Sequence, residues 1–471
     1  MKLSLKIITV TLLLSLIAGC TKSGESSVTS TKVAPISQPT AAVAVALSLE
    51  EQRAITEQVL DDLMTGEVDT TYAMFTETMK KAVTADQLKG LWSQIELQFG
   101  AFDYLQGIQQ STVQGYSVNT ATCVFENGTL LINVAFDDSG KIAGLTMAPG
   151  ETPKTDYRVP EYVDESKFTE TEVTVGSGQW ALPGTLTLPN GEGPFPAVVL
   201  VHGSGPNDRD ETIGPNRPFK DIAWGLASRG IAVLRYDKRT KTHSALFTEE
   251  ILKKLTLQDE TITDALLAVD LLKQNPSIDP QRIFVLGHSQ GAMAAPRIGQ
   301  QDPEIAGLII MAGPTRRFED VILDQITYIT NLDGELSDSD KDTIRMAEEG
   351  AALVRSDALN IDTPAEKLPL GIPAGFWLDI RDYNPAELAA GLSMPMFILQ
   401  GGRDYQVKQV DFEGWQATLK GNNNATLKFY PNLNHLFIEG EGMAVPAEYN
   451  QPGTVSAEVI ADIANWILGL K

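Results

Sequence analysis

Five residues near the middle of the chain, Gly287-His288-Ser289-Gln290-Gly291, constrain its fold more than any others. The apolar run Phe284-Val285-Leu286 leads straight into them, and residues 292–297 continue with a helical pattern. The pattern Gly-x-Ser-x-Gly by itself is a weak signal. Between a strand and a helix it describes a turn so tight that small residues must flank the serine, whose hydroxyl is lifted above the end of a sheet.

The surrounding sequence supplies such a sheet. Residues 171–175 and 182–188 read as opening strands, followed by short apolar strands at 197–201, 231–235, 282–286, 306–311, 396–400 and 426–430. Several are continuous apolar runs, as strands covered on both faces require. Residues 222–227, 262–273, 293–300 and 455–468 carry helical patterns between them. Strands alternating with helices over this length imply an open, mostly parallel α/β sheet from about residue 168 to 471.

A serine hydroxyl needs a base before it can attack a carbonyl. The chain has four histidines, His202, His243, His288 and His435. His288 is inside the turn and should point away from the serine. His202 precedes Gly203, directly after the strand at 197–201, and belongs to the loop there. His243 lies in a polar stretch. His435 alone follows the last strand, in Pro431-Asn432-Leu433-Asn434-His435, and is the candidate base, with a loop-packing imidazole as the alternative. An acid must fix the tautomer of that imidazole. Asp404 stands just past the strand at 396–400, in Gly401-Gly402-Arg403-Asp404, and is the candidate, with Asp379 and Asp382 as rivals in a helical insertion. An oxyanion hole needs two main-chain N–H groups. Gln290, directly after the serine, is one; Ser204, in Val201-His202-Gly203-Ser204-Gly205, is the other, with Gly203 as its near neighbour.

The Ser–Asp–His order, the His-Gly loop and the Gly-His-Ser-Gln-Gly turn resemble the α/β-hydrolase superfamily. His202-Gly203-Ser204-Gly205-Pro206-Asn207-Asp208-Arg209-Asp210 and Leu234-Arg235-Tyr236-Asp237-Lys238-Arg239 resemble a bacterial lipoprotein esterase branch related to dienelactone hydrolases and acyl-CoA thioesterase-like proteins. The resemblance implies ester cleavage by Ser289, Asp404 and His435, acting on a small-molecule ester without a cofactor. Ser289 departs from the cysteine of true dienelactone hydrolases. A peptidase resembling prolyl oligopeptidases and a non-catalytic binding lipoprotein are the competing expectations. The eighty or so residues between 311 and 396 exceed a simple connection. In this superfamily an insertion there, about 315–392, builds a helical cap. Phe376, Trp377, Leu378 and Tyr383 either line a pocket or pack the cap. Arg209, Arg235, Lys238 and Arg239 either meet an anionic substrate or pair with nearby carboxylates. The acidic run 338–342 with Glu349 reads as a helix start rather than a calcium loop, because Thr343 stands where such a loop needs glycine.

Ahead of the hydrolase region, Ser48-Leu49-Glu50-Glu51 is a capping-box start. A helix follows, then a second at 85–99, then strands at 109–113, 116–125, 129–136 and 141–147, with Asn127-Gly128 and Ser139-Gly140 between them as turns. This gives a small α+β domain at 48–150, similar in pattern to the cone-shaped nuclear-transport-factor-like modules, whose partner is unknown; residues 151–167 are a linker. The start of the chain is an address: Lys2 and Lys6, apolar residues 7–17, then Ile17-Ala18-Gly19-Cys20. This resembles the bacterial lipobox, implying a signal peptide at 1–19, lipidation of Cys20, a tether at 20–47 and an extracytoplasmic, membrane-anchored protein. Losing Lys2 and Lys6 takes the formal charge of the 471-residue chain from −24 to −26. Such acidity, with no clustered basic surface, argues against nucleic-acid binding. Cys20 and Cys123 are the only cysteines, too few for a disulfide framework or a cysteine-rich metal site, and Cys123 reads as a buried strand residue.

Overall fold

The computed structural model describes residues 47–470, apart from 100–101, 114–115, 126–127, 151–156, 333 and 335. The signal, Cys20, Asn127, the start of the linker and all of the tether but Leu47 lie outside the described residues. The chain divides near residue 151 into two compact units. Among the described residues no helix is long and apolar enough to cross a membrane.

In the first unit, Ser48 and Glu51 form the expected capping box, with Glu51 N–H donating to Ser48 Oγ at 3.3 Å and Ser48 N–H to Glu51 Oε2 at 2.7 Å. The helix Leu49–Thr65 that they start buries Val59, Leu60 and Leu63. The helix expected at 85–99 is two, Ala85–Lys89 and Leu91–Phe99, divided at Gly90, a residue with little helical preference of its own. Four antiparallel strands follow in sequence order: β1 (Phe102–Val113), β2 (Tyr116–Phe125), β3 (Gly128–Phe136) and β4 (Ile142–Pro149). β1 begins seven residues earlier than its alternation suggests. Phe102 is drawn in by edge-on contacts with Trp92 and Phe125, at 5.4 Å each. Cys123 on β2 is fully buried, and that burial pushes its thiol up to about 12.

The second unit is built on one eight-stranded sheet. Its strands are β5 (Phe168–Val175), β6 (Leu182–Pro189), β7 (Phe195–Val201), β8 (Ala232–Tyr236), β9 (Ile278–His288), β10 (Gly307–Met311), β11 (Met396–Gly401) and β12 (Ala425–Tyr430). Their order is β5-β6-β8-β7-β9-β10-β11-β12. The β5–β6 and β6–β8 pairs are antiparallel, and every pairing from β8 to β12 is parallel. Alternate residues of β7 face opposite layers. Val198 and Leu200 pack with Phe219 and Ile222 of the helix Pro218–Ala227 and with Ile460 and Ile463 of Ala457–Gly469. Val199 and Val201 join the layer that holds Ala268 and Val269 of Thr263–Lys273 and Ala292 and Ile298 of Gln290–Gln301. This is the α/β-hydrolase fold, with β7, β9 and β11 delivering their carboxyl ends to one rim, where such sheets bind ligands.

The insertion between β10 and β11 carries helices Phe318–Thr330, Asp338–Arg355, Ala374–Ile380 and Pro385–Ala390. Its aromatic residues pack it together and onto the body. Phe318 lies against Phe376 and Trp377, Trp377 is fully buried, and the Tyr383 hydroxyl donates to the Met293 carbonyl at 2.7 Å. Asp340 caps back onto Ser337, and Arg345 lies 3.0 Å from Asp342 and 2.9 Å from Glu349, so the acidic run is a helix start. Among the described residues no cluster of three or more His, Cys, Asp or Glu could hold a metal ion.

Candidate active site

Ser289 sits where β9 breaks into the helix Gln290–Gln301, at φ 54° and ψ −114°. A non-glycine residue at that positive φ is strained, and such strain persists only where the surroundings enforce it. Here the two flanking glycines do so. A Cβ on Gly287 would come within 2.2 Å of the Gly291 carbonyl oxygen, and one on Gly291 within 2.1 Å of the Val201 oxygen. Ser289 N–H donates to the Met311 carbonyl at 2.9 Å, tying the turn to β10. The first N–H groups of the following helix have no acceptor within it, and they carry the positive end of its dipole. Gln290 is the first of them.

His435 and Asp404, 31 residues apart, meet at the rim. His435 Nδ1 lies 2.7 Å from Asp404 Oδ2, and both side chains are almost fully buried. Asp404 is held from every side: Oδ1 accepts from the Gln406 and Val407 N–H groups at 2.8 and 2.9 Å, and Oδ2 also accepts from Gln400 Nε2 at 3.3 Å. An acid fixed this way orients the imidazole and leaves its far nitrogen for another proton. The rivals are committed elsewhere. Asp379 accepts from Arg297 and from Leu257 N–H, and Asp382 is paired with Arg381.

The loop after β7 comes against the serine. A Cβ on Gly203 would lie 3.3 Å from Ser289 Cβ. The Gly203 N–H is taken, donating to Glu211 Oε1 at 2.6 Å, which leaves Ser204 as the loop's candidate donor. Asn207 Nδ2 braces the Gly203 and Ser204 carbonyls at 3.2 and 2.9 Å.

The remaining histidines are accounted for. His202 packs between Phe219 and Tyr236, and burial brings it down to about 4 despite nearby Glu211, so it is neutral at neutral pH. His243 Nε2 lies 2.9 Å from the Ala181 carbonyl. His288 does point away from the serine: its Nδ1 lies 3.0 Å from Glu211 Oε2 and its Nε2 lies 2.9 Å from the His435 carbonyl. The Glu211 contact falls off the hydrogen-bond line and is an ion pair when the ring is protonated. The four basic residues singled out here each meet a carboxylate, as the second expectation for them had it: Arg209 with Asp237 and Glu172, Arg235 with Asp210 and Glu170, Lys238 with Glu260, and Arg239 with Asp264.

Sequence reasoning missed Glu211 and Glu260. Glu211 stands next to the quoted Asp208-Arg209-Asp210 segment, and its backbone at φ 52° is a constraint that no sequence pattern marks.

A family model described as "Serine aminopeptidase, S33" matches residues 194–332, and one described as "Protein of unknown function (DUF3887)" matches residues 56–145. Esterase EstD of Thermotoga maritima is 40% identical over 396 residues, which cover 84% of this chain and 90% of that protein. Among solved structures, Est1E from Butyrivibrio proteoclasticus is 17% identical over 63% of this chain and 99% of its own, with a TM-score of 0.39. The Pyrococcus furiosus esterase Pf2001 is 16% identical over 68% of this chain and 98% of its own, with a TM-score of 0.41. At such TM-scores neither bears on the chemistry.

Proposed function

Because the chain belongs to the α/β-hydrolase family of esterase EstD and is a carboxylic ester hydrolase, we propose that it works through a serine acyl-enzyme built by Ser289, His435 and Asp404. Ser289 Oγ attacks the ester carbonyl while His435 takes its proton. The oxyanion is held by the Gln290 and Ser204 N–H groups. His435 returns the proton to the departing alcohol, and water then releases the acid by the same steps in reverse. Asp404 holds the imidazole and stabilises its charged form. The observation that carries this reading is the 2.7 Å contact between His435 Nδ1 and the fully engaged Asp404 carboxylate, on the loops beside a strained serine.

A second reading, amide cleavage, is favoured by the description of the matching family model. One panel separates them. Purified protein should hydrolyse p-nitrophenyl esters, with activity lost in Ser289→Ala, and should leave amino-acid p-nitroanilides intact. Faster cleavage of the anilides would reverse the assignment.

Lys2, Lys6, the apolar stretch and Ile17-Ala18-Gly19-Cys20 support export, lipidation at Cys20 and tethering to a membrane outside the cytoplasm. Incorporation of radiolabelled palmitate in a bacterial host, abolished by Cys20→Ala, is the expected result. Unlabelled protein in the soluble fraction would contradict it.

A further inference from the structure

We propose that Glu260, with Lys238, is a positioning residue that sets the two halves of the oxyanion hole against each other. The inference rests on the serine mechanism above. The two donors come from loops far apart in sequence, Ser204 after β7 and Gln290 after β9. A single buried carboxylate joins them. Glu260 Oε2 accepts from the Gln290 side-chain Nε2 at 3.1 Å. Its other oxygen lies 3.3 Å from Lys238 Nζ and accepts from Thr240 Oγ1 at 3.3 Å. Lys238 Nζ in turn donates at 2.9 Å to the Gly203 carbonyl, which is the other end of the peptide group that carries the Ser204 N–H. Gln290 Nε2 also reaches Thr261 Oγ1 at 3.4 Å. The strut therefore runs from the peptide that carries one donor, through an ammonium and a carboxylate, to the side chain of the residue that carries the other.

Lys238, Glu260 and Gln290 are all buried. A buried ion pair is poor evidence for stability, because apolar groups of the same size avoid its desolvation cost. Placement is the better explanation. Glu260 lies in a single π-helical turn, Gln258–Ile262, ahead of the helix Thr263–Lys273. Such turns are rare and collect at functional sites. Oxyanion donors act only when fixed beforehand at hydrogen-bond distance from the developing charge, and an error of about 0.5 Å already matters.

The test uses purified protein and p-nitrophenyl butyrate, with Glu260→Ala, Glu260→Gln, Lys238→Met and the double variant Lys238→Met/Glu260→Ala. Each is followed by kcat, KM, melting temperature and the Ki of an alkylboronic acid, which forms a tetrahedral adduct on the serine. Removing a whole oxyanion donor costs about a hundredfold or more in kcat. Loosening both should cost Glu260→Ala about tenfold to a hundredfold, with KM within about twofold and the boronate Ki rising in step with the loss of kcat. Glu260→Gln keeps an acceptor for Gln290 and should fall between wild type and Glu260→Ala. The double variant should be no worse than the poorer single one, because both break one strut. If Glu260→Ala fails to fold, Glu260→Gln and Lys238→Met carry the same comparison. Folded variants with kcat within about twofold of wild type, or with KM raised and the boronate Ki unchanged, overturn the proposal. A wild type without Ser289-dependent hydrolysis would instead overturn the reading of the site itself, and the proposal with it.

Discussion

His288 holds the backbone of His435: its Nε2 lies 2.9 Å from the His435 carbonyl oxygen, and the two rings are 4.6 Å apart. The residue before the serine thus supports the loop that presents the proposed base. Its other nitrogen faces Glu211, which in turn accepts the Gly203 N–H. One buried chain of contacts ties the loop after β7, the serine turn and the His435 loop together. Both ring nitrogens of His288 face oxygen, Nε2 in a hydrogen bond and Nδ1 in a charge contact.

This pairing predicts a pH signature. Burial alone would pull His288 down, yet the Glu211 carboxylate lifts it above the ordinary 6.5. Burial would likewise raise Glu211, yet His288 and the Gly203 N–H hold it below the ordinary 4.5. The raised histidine stabilises the fold below about pH 6.5 and loses that contribution as pH rises through its folded value. The lowered glutamate stabilises above about pH 4.5 and loses it as pH falls. The pair is therefore worth most between those two values. Melting curves of wild type and Glu211→Gln should differ most near pH 5.5 and draw together as pH rises through the raised folded value of His288. A gap independent of pH would contradict the ion pair.

Asp404→Asn should leave the fold intact while disabling the base. Asparagine can still accept from the Gln406 and Val407 N–H groups, but it no longer fixes the needed tautomer of His435 or stabilises its charge. We expect kcat to fall by about 10³- to 10⁴-fold with an unchanged melting temperature. Loss below about tenfold, measured by steady-state hydrolysis, would move the acid elsewhere.

The turn itself is intolerant of side chains. Gly287→Ala places a methyl 2.2 Å from a main-chain oxygen that the helix cannot surrender. The expected result is insoluble protein, or a melting temperature lowered by at least several degrees. Soluble, fully active Gly287→Ala would mean that the turn opens more easily than its contacts suggest.

Cys123 should be chemically silent. Full burial and a thiol pushed up to about 12 leave almost no thiolate at neutral pH. Iodoacetamide should modify it only in denaturant, as read by mass spectrometry; rapid labelling of native protein would place it at a surface.

Much of the second unit was legible because its signals are local. Apolar runs marked β7, β8, β10 and β11 to within about two residues at each end, since a strand buried on both faces leaves little room for polar residues. His435 and Asp404 could be singled out because the order of strands decides which loops reach the rim. The illegible parts are contacts made across the fold. Glu211 and Glu260 look like ordinary surface acids in sequence; only the packing of β7, β8 and β9 brings them to Gly203, Lys238 and Gln290. Phe376 and Trp377 could be read as pocket or packing with equal ease, because burial against Phe318 is decided by how the insertion folds. The early start of β1 has the same cause, since Phe102 is recruited by Trp92 and Phe125 rather than by alternation.

The serine mechanism is tested most directly by treating the native protein with a fluorophosphonate and locating the adduct by peptide mass spectrometry. One stoichiometric adduct on Ser289 is expected, slowed by about a thousandfold or more in His435→Ala and matched by complete loss of ester hydrolysis. Full hydrolysis with Ser289 unmodified, or an adduct on another residue, would contradict it.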